Sequence, residues 1–308
     1  MKRCPITYES VQGSRYSPKG LRKLSPNLDE FHDFPYSQEE QIREAQLRSA
    51  KMSLQGVQPK LSVRLDLNGK TFRVVDQGGL FILKPQSPLY RQLPENEDLC
   101  MRLASAAGIE APFHGMVYCK DGSLTYFIRR FDRSGRRRLA VEDFAQIAGR
   151  SRDTKYDYSM EKMVPLLEAH CTFPQLEKLK LFRLTLFNYL IGNEDAHLKN
   201  FSLIRRDKKV QLSPAYDLLS STIALEGASE ELALPLRGKK RNFNREIFIE
   251  YFGKERLQLP SRAIDQVIAD LNSALPKWIS FIGAGFLSEE MKERLLELIG
   301  QRRRVLGF

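Results

Sequence analysis

Three side chains that carry oxygen ligands lie near one another in the C-terminal half of the sequence. Asp195 and Asn200 are five positions apart, and Asp217 follows Asp195 by 22 positions. Carboxylate and amide oxygens are ligands that suit Mg²⁺, and a carboxylate can also accept a proton from a hydroxyl group. This stretch of the chain could therefore combine a metal site with a general base.

The spacing Asp-x-x-x-x-Asn is that of the catalytic loop of protein kinases. There the aspartate accepts the proton of the substrate hydroxyl, the asparagine binds Mg²⁺, and a second aspartate further along the chain completes the metal site. Asp217 stands in that second place, because a predicted hairpin over 201–212 separates it from Asn200. The alternative is that Asp195 and Asn200 merely cap helix ends and turns.

Lys84, at the end of an apolar predicted strand, is placed to bind nucleotide phosphates. A helix predicted over 95–107 offers Glu97 as its ion-pair partner, with Glu95 as the competing choice. Lys84 could instead be an ordinary lysine in solvent at a strand end. We expect the hydrophobic core not to need its charge.

The stretch Ser53–Lys60 contains a single glycine, Gly56, so it matches neither of the glycine-rich phosphate-binding patterns. It nevertheless precedes the first predicted hairpin, which is where a loop that covers phosphates would lie. Backbone amides around Gly56 could contact a phosphate without obstruction by a side chain. We therefore interpret the stretch as a candidate phosphate loop.

The elements that must position these residues change in type along the chain. Strands are predicted over 61–67, 71–75, 80–84, 113–119 and 124–130, and helices over 37–50, 95–107, 142–148, 159–169, 175–191, 245–252, 261–271 and 288–298. A run of strands followed by a run of helices indicates an α+β fold. We divide it into an extended N-terminal arm (1–36), a small antiparallel-sheet lobe with one inserted helix (37–130) and a larger helical lobe (131–308).

The composition is that of a globular protein with an anionic partner. Of the 308 residues 42% are hydrophobic, and 49 Lys and Arg against 38 Asp and Glu give a net charge of +11. This charge favours nucleic acid, a nucleotide or an acidic protein surface as the partner. The four cysteines show no C-x-x-C pair, and neither a membrane span nor a secretory signal is recognisable. We therefore expect a cytoplasmic protein without a membrane partner; the alternative is export by a route with no classical signal.

Taken together, the ordered motifs resemble the HipA-like serine/threonine kinases, the toxin components of bacterial toxin–antitoxin systems. The resemblance covers about residues 45–300 and is carried by Ser53–Lys60, Lys84, Arg129–Arg133, Thr154–Tyr156, Asp195–Asn200 and Tyr216–Asp217. It implies a two-lobed protein-kinase-like fold. The sequence is most similar to the compact HipT form, in which a small N-terminal subdomain of full-length HipA is a separate protein.

The resemblance implies a role for each matching residue. Asp195 would be the catalytic base, and Asn200 and Asp217 the magnesium ligands. ATP would be bound by the phosphate-loop residues, the lysine with its glutamate, the adenine hinge and the catalytic segment, namely Ser53, Gln55, Gly56, Val57, Gln58, Lys60, Lys84, Glu97, Arg129, Phe131, His197, Lys199, Asn200, Tyr216 and Asp217. Ser53 falls on the position that the family autophosphorylates, and Gln55 replaces a second serine found in compact relatives.

The implied activity is transfer of the γ-phosphoryl group of ATP, with Mg²⁺, to a serine or threonine of an aminoacyl-tRNA synthetase. The resemblance implies tryptophanyl-tRNA synthetase for the compact form and glutamyl-tRNA synthetase for HipA itself. The implied partners are a helix-turn-helix antitoxin, through which alone DNA is contacted, and a separate small protein like the N-terminal subdomain.

Two other functions stay open at this point. One is a small-molecule kinase of the aminoglycoside type, whose cationic substrates match a chain at +11 poorly. The other is a nucleotide-binding pseudokinase that serves as a scaffold or co-repressor, which the intact set of Lys84, Asp195, Asn200 and Asp217 disfavours. Basic runs at 136–138, 239–241 and 302–304 could contact tRNA, an acidic synthetase surface or DNA, but short charge runs are usually solvated faces.

Overall fold

The computed structural model describes residues 2–49, 58–135, 137–225, 227 and 230–308. Five residues of the candidate phosphate loop, Ser53, Leu54, Gln55, Gly56 and Val57, lie outside the described residues. The chain divides into two compact units. Unit 1 comprises Met1–Leu99, Pro112–Arg136 and Gly283–Leu287, and unit 2 comprises Cys100–Ala111, Arg137–Ile282 and Ser288–Phe308.

Unit 1 contains a five-stranded antiparallel sheet with the strand order β2-β1-β3-β5-β4. All five strands were predicted, and they run as β1 (Leu61–Asp66), β2 (Thr71–Val74), β3 (Phe81–Lys84), β4 (His114–Tyr118) and β5 (Leu124–Arg129). β3 is the central strand, with β1 on one side and β5 on the other. Lys84 is the last residue of β3 and lies opposite Tyr126 of β5.

The N-terminal residues bury apolar side chains in the same core as the sheet. Cys4, Leu21 and Phe34 belong to one buried cluster with Val63 and Phe127. The segment predicted to be extended also contains a helix, α1 (Pro18–Leu24), which we did not expect. A helix of this length is too short for its apolar periodicity to be recognised in a segment that contains several prolines.

The second helix, α2 (Gln38–Ser49), begins with a capping box formed by Ser37 and Glu40. Ser37 Oγ accepts the Glu40 N–H at 3.3 Å, and Glu40 Oε2 accepts the Ser37 N–H at 2.8 Å. Two backbone donors that a helix start leaves unpaired are thereby satisfied. Helix α3 (Leu93–Ala106) follows β3 and ends before Gly108, whose φ is 74°.

Unit 2 is built around a long, largely buried helix, α6 (Pro174–Ile191). It contacts α5 (Met160–His170), α8 (Ser261–Ser273) and α10 (Glu289–Leu306). Gly192, with φ of 73°, ends α6 in the left-handed conformation that favours glycine. The chain therefore leaves the core of unit 2 directly into the segment that carries Asp195 and Asn200.

The predicted helix over 142–148 is wrong at its start. Val141–Asp143 is instead a strand, β8, which joins the predicted hairpin of β9 (Ser202–Arg206) and β10 (Lys209–Leu212) in a three-stranded sheet. Helix α4 (Phe144–Ile147) begins only after Asp143, because the Asp143 side chain accepts the N–H of Gln146 at 2.8 Å. Asp143 therefore caps the helix from a strand end.

The remaining elements are short or extend the predicted ones. They are β6 (Arg133–Ser134), β7 (Arg137–Arg138), a 3₁₀ turn at Leu198–Asn200, α7 (Ser221–Ala224), a π-helical segment at Ile247–Arg256 and α9 (Leu275–Ala284). Helix α9 was not predicted, and α10 is eight residues longer at its C-terminal end than the expected 288–298 helix. Among the described residues, no helix has the length and apolar character needed to cross a lipid bilayer.

Candidate active site

Lys84 and Glu97 form a buried ion pair in unit 1. Lys84 Nζ donates to Glu97 Oε1 at 2.6 Å, and the two side chains are 3% and 1% exposed. The lysine lies at the end of strand β3, and the glutamate lies in helix α3. Of the two glutamates that the sequence offered, Lys84 thus pairs with Glu97.

Glu95 has a different partner. Its carboxylate accepts two bonds from Gln86 Nε2, at 2.8 and 2.9 Å. Burial raises the pKa of Glu95 above the usual range of a carboxyl group, and the bond from Gln86 opposes this change. A neutral amide, rather than the lysine, therefore holds Glu95.

The segment implied as the adenine hinge continues β5. The N–H of Arg129 donates to Phe113 O at 2.8 Å, and the N–H of Arg130 donates to Leu80 O at 2.9 Å. These two backbone donors are used inside unit 1. The Arg130 side chain binds Asp132 through two bonds of 2.9 and 2.7 Å, which fixes the chain just after Phe131.

Gln58 and Lys60 are the two predicted phosphate-loop contacts that the structure describes. Both are half-buried, in the stretch that leads into β1. Gln58 Nε2 is buried and has no hydrogen-bond partner among the described residues. A buried amide donor without a partner is costly unless another group is there to accept its bond.

The segment after α6 is a series of tight turns that present Asp195 at the surface of unit 2. Asn193 Oδ1 accepts the Asp195 N–H at 3.3 Å, and Asn193 Nδ2 donates to Asn188 Oδ1 at 3.1 Å. Further along, Asp195 O accepts the His197 N–H at 2.8 Å, and His197 O accepts the Asn200 N–H at 2.9 Å. Asn193, which is almost fully buried, thus anchors the exposed Asp195 to the helix.

The carboxylate of Asp195 accepts a hydrogen bond from the hydroxyl of Tyr156. The Tyr156 ring also packs edge-on against the His197 ring, with centroids 5.1 Å apart. Burial raises the pKa of Tyr156 above its ordinary value, and the bond to Asp195 raises it further. The tyrosine hydroxyl is therefore a hydrogen-bond donor at neutral pH.

His197 is buried close to two of the predicted catalytic carboxylates. Desolvation lowers its pKa below the ordinary histidine value, while the charges of Asp195 and Asp217 oppose that change and Lys155 adds to it. Its Nδ1 atom has no hydrogen-bond partner among the described residues. The structure thus brings His197 within electrostatic reach of both carboxylates.

Lys199 and Tyr216 are joined through the backbone. The Tyr216 hydroxyl donates to Lys199 O at 2.8 Å and also forms a hydrogen bond with Ser202 Oγ. The Lys199 ammonium lies 2.8 Å from Asp143 Oδ2, so its charge is paired. The residue that caps α4 therefore also holds the lysine that the resemblance places beside the phosphates.

Asn200 and Asp217 have features that suit a magnesium site. Asn200 Oδ1 is buried and has no hydrogen-bond partner among the described residues, which leaves a hard oxygen ligand unsatisfied. Asp217 adopts φ of 54°, in the left-handed region, where aspartate is tolerated and strain often marks a functional position. Mg²⁺ is commonly held by one or two protein side chains together with substrate phosphates, so the donor set fits.

Within the ranges that the structure describes, no group of three or more His, Cys, Asp and Glu side chains could bind a metal ion. A magnesium ion that is bound by one or two side chains together with substrate phosphates does not need such a group.

Sequence reasoning gave no role to two residues that contact this segment. Tyr156 belongs to a motif quoted for the resemblance, but it is 39 positions from Asp195 and no local spacing links the two. Asp143 was taken as part of a helix, so its bond to Lys199, 56 positions away, was not foreseeable from periodicity. Such pairs follow only from tertiary structure.

The antiparallel sheet with its Lys–Glu pair and the helical unit with the segment that carries Asp195 and Asn200 have a protein-kinase-like fold. Residues 52–279 match the family model of the HipA-like C-terminal domain. A candidate kinase of Haemophilus influenzae is 31% identical over 264 residues, covering 79% of this chain and 76% of that protein. The chain belongs to the HipA-like kinase family.

Two comparisons involve HipA of Shewanella oneidensis. The serine/threonine-protein kinase toxin HipA is 30% identical over 209 residues, which are 60% of this chain and 47% of that protein. A chain in the solved complex of HipA, HipB and operator DNA has a TM-score of 0.70 and 24% identity, covering 91% of this chain and 74% of its own length. The matched region is thus about half of the Shewanella HipA sequence.

Proposed function

We propose that this chain is an ATP-dependent serine/threonine protein kinase and the toxin of a toxin–antitoxin system. The observation that carries the proposal is the buried pair of Lys84 and Glu97. A buried ion pair contributes little net stability, because desolvation offsets the attraction between the charges. In protein kinases such a pair holds the strand lysine toward the nucleotide phosphates, which gives the burial of these two charges a functional reason.

The residues of unit 2 supply the chemistry in this proposal. Asp195 accepts the proton of the acceptor hydroxyl as that oxygen attacks the γ-phosphorus, and Asn200 and Asp217 hold Mg²⁺. The ion, when bound, neutralises charge on the β- and γ-phosphate oxygens. Lys84 binds a phosphate, and His197 and Lys199 lie beside the phosphates. The ion pair with Asp143 restricts the position of the Lys199 side chain.

The remaining nucleotide contacts come from unit 1. The Ser53–Lys60 loop covers the phosphates, with Gln58 Nε2 donating to an oxygen of the nucleotide, and the backbone of Arg129–Phe131 faces adenine. The unpartnered amide of Gln58 supports this placement. Ser53 is the site of autophosphorylation.

The substrate and partners in this proposal follow the family. The substrate is an aminoacyl-tRNA synthetase, either tryptophanyl or glutamyl, and phosphorylation blocks translation in the cytoplasm. A helix-turn-helix antitoxin neutralises the toxin and contacts DNA, with a separate small subdomain-like protein as a further partner. Support comes from the Shewanella structure, in which HipA is in complex with HipB and operator DNA.

The direct test incubates the purified protein with labelled ATP, Mg²⁺ and a bacterial cell extract, followed by mass spectrometric mapping of labelled sites. We expect label on a serine or threonine of a synthetase and none with Asp195→Asn. Label on small molecules alone would favour the aminoglycoside-type alternative. ATP binding without transfer to any acceptor would favour the pseudokinase.

A further inference from the structure

The proposed catalytic base is already engaged by a hydroxyl group of its own chain. Tyr156 Oη donates to Asp195 Oδ1, and no other side-chain hydrogen bond of Asp195 is formed within the described part of the chain. The acceptor of a protein kinase is likewise a hydroxyl that donates to this carboxylate. Tyr156 therefore makes the bond that a substrate serine or threonine would make.

The surroundings of Tyr156 hold its ring in this place. The ring packs edge-on against His197, at an interplanar angle of 81°, and Lys155 Nζ lies 4.9 Å from the ring centre. The backbone of Lys155 accepts the Leu198 N–H at 3.3 Å, which ties the tyrosine segment to the catalytic segment. The ring is nevertheless 37% exposed, so a substrate can reach it.

The geometry points to Tyr156 as a stand-in for the acceptor: its hydroxyl occupies Asp195 until the substrate hydroxyl displaces it, and thereby protects bound ATP from water. This inference rests on the proposed role of Asp195 as the base. Burial and the bond to Asp195 raise the pKa of Tyr156, so its hydroxyl keeps its proton at neutral pH and can donate to the carboxylate. Tyr156 would thus favour phosphoryl transfer to a protein hydroxyl over transfer to water.

The reaction that Tyr156 suppresses is ATP hydrolysis. In that reaction a water oxygen bonds to the γ-phosphorus, the bond from phosphorus to the β,γ-bridging oxygen breaks, and one water proton passes to Asp195. The products are ADP and inorganic phosphate. In this inference Tyr156 suppresses the reaction by holding Oδ1, so that this oxygen of Asp195 cannot at the same time accept the proton of a water molecule.

The test compares Tyr156→Phe with wild type in the release of inorganic phosphate from Mg–ATP, without any protein acceptor. Phenylalanine keeps the ring contacts with His197 and removes only the hydroxyl. We expect release to rise at least about fivefold, a modest part of what general-base catalysis can supply. In Tyr156→Phe/Asp195→Asn, release should return to the level of Asp195→Asn alone.

The matched control is Tyr158→Phe, which removes a tyrosine hydroxyl two positions away that donates to Lys162 O at 3.2 Å. Its phosphate release should equal that of wild type. If Tyr156→Phe has a lowered melting temperature, Tyr156→Leu gives a second measurement with the hydroxyl equally absent.

The outcomes separate this inference from the proposed function. If wild type labels a protein while the Tyr156 variants release phosphate at or below the wild-type rate, Tyr156 is not an acceptor stand-in, although the kinase assignment stands. If wild type does not label a protein, and neither wild type nor any variant hydrolyses ATP, both proposals are overturned. A rise that survives Asp195→Asn also overturns the inference, because the base would then not be the group that Tyr156 occupies.

Discussion

Lys84 and Glu97 are joined by an ion pair of 2.6 Å that is almost completely shielded from water. Tyr126 lies opposite Lys84 on β5, and its ring centre is 5.7 Å from the lysine ammonium. The carbonyl of Lys84 also accepts a bond from Thr125 Oγ1 at 3.0 Å. The lysine is thus part of the packed interior of unit 1 rather than a strand-end residue in solvent.

This burial changes what is expected of Lys84→Met. The sequence suggested that the core does not need the lysine charge, but without it the buried carboxylate of Glu97 would lose the ammonium that compensates its charge. We expect a loss of about 3 kcal/mol in the free energy of unfolding, together with the loss of phosphoryl transfer. Urea unfolding without ATP measures the first and labelled ATP the second.

The control for this prediction is the double variant Lys84→Met/Glu97→Gln. Removal of both charges should restore most of the stability, because no uncompensated ion remains, while activity stays absent. An additive loss in the double variant would show that the two side chains are not coupled. Full activity of Lys84→Met would exclude it as a phosphate ligand.

Asp195 and Asp217 are predicted to have separable roles. Asp195→Asn can still accept the bond from Tyr156 but cannot take up a proton, so Mg–ATP binding should persist while transfer is lost. Asp217→Asn should weaken Mg–ATP binding by about tenfold or more, because a charged metal ligand is replaced by a neutral one. Asparagine tolerates the positive φ of this position, so the backbone is not expected to change.

Isothermal titration with Mg–ATP measures both affinities. Asp207→Asn is a suitable control, since Asp207 also has a positive φ, 46°, but is exposed on the turn between β9 and β10. It should bind as wild type does. Equal loss of affinity in the Asp195 and Asp217 variants would contradict the division of roles.

Ser53 stays a prediction from sequence, since it lies outside the described residues. A phosphate there would add about two negative charges next to those of the nucleotide, so repulsion should lower ATP affinity. Ser53→Asp is expected to reduce ATP binding and toxicity. Intact-mass analysis after incubation with ATP should find one phosphate on wild type and none on Asp195→Asn. Phosphate mapped only to other residues would end the proposal.

The strands of unit 1 and the placement of Lys84 and Glu97 on a strand and the following helix could be predicted, because each depends on local patterns. Alternation of apolar residues defines β3, and helical periodicity places Glu97 on the following helix. The choice between Glu97 and Glu95 needed the structure, since both lie in the first turns of α3 and only the tertiary fold decides which faces the lysine.

The errors have a common physical origin. Amphipathic periodicity predicts a helix that starts at Glu142, but pairing of Val141–Asp143 with β9 overrides that local preference. The role of Tyr156 was not predicted for the same reason, since its contact with Asp195 joins distant parts of the chain. Local sequence patterns predict individual helices and strands. Long-range contacts determine which polar groups come together at the site.

The last prediction concerns Gly192, the residue that ends α6 and starts the catalytic segment. Its φ of 73° is unfavourable for other residues, and a Cβ atom would lie 2.4 Å from Thr222 Oγ1 and 2.7 Å from Leu298 Cδ2. Its carbonyl also accepts bonds from Ser221 Oγ and Thr222 Oγ1, each at 3.1 Å. We expect Gly192→Ala to lower the free energy of unfolding by about 3 kcal/mol and to reduce activity, because the start of the segment must shift.

Gly149→Ala separates the two causes of the stability loss expected for Gly192→Ala, which are backbone strain at a positive φ and the steric contact of the added Cβ. Gly149 also has a positive φ, 62°, but no atom lies within 4 Å of the added Cβ. It should therefore show only the backbone strain, about 1 kcal/mol, with activity unchanged. Urea unfolding of both variants gives the comparison. If Gly192→Ala is no less stable than Gly149→Ala, the close approach of Thr222 and Leu298 does not constrain the start of the segment that carries Asp195.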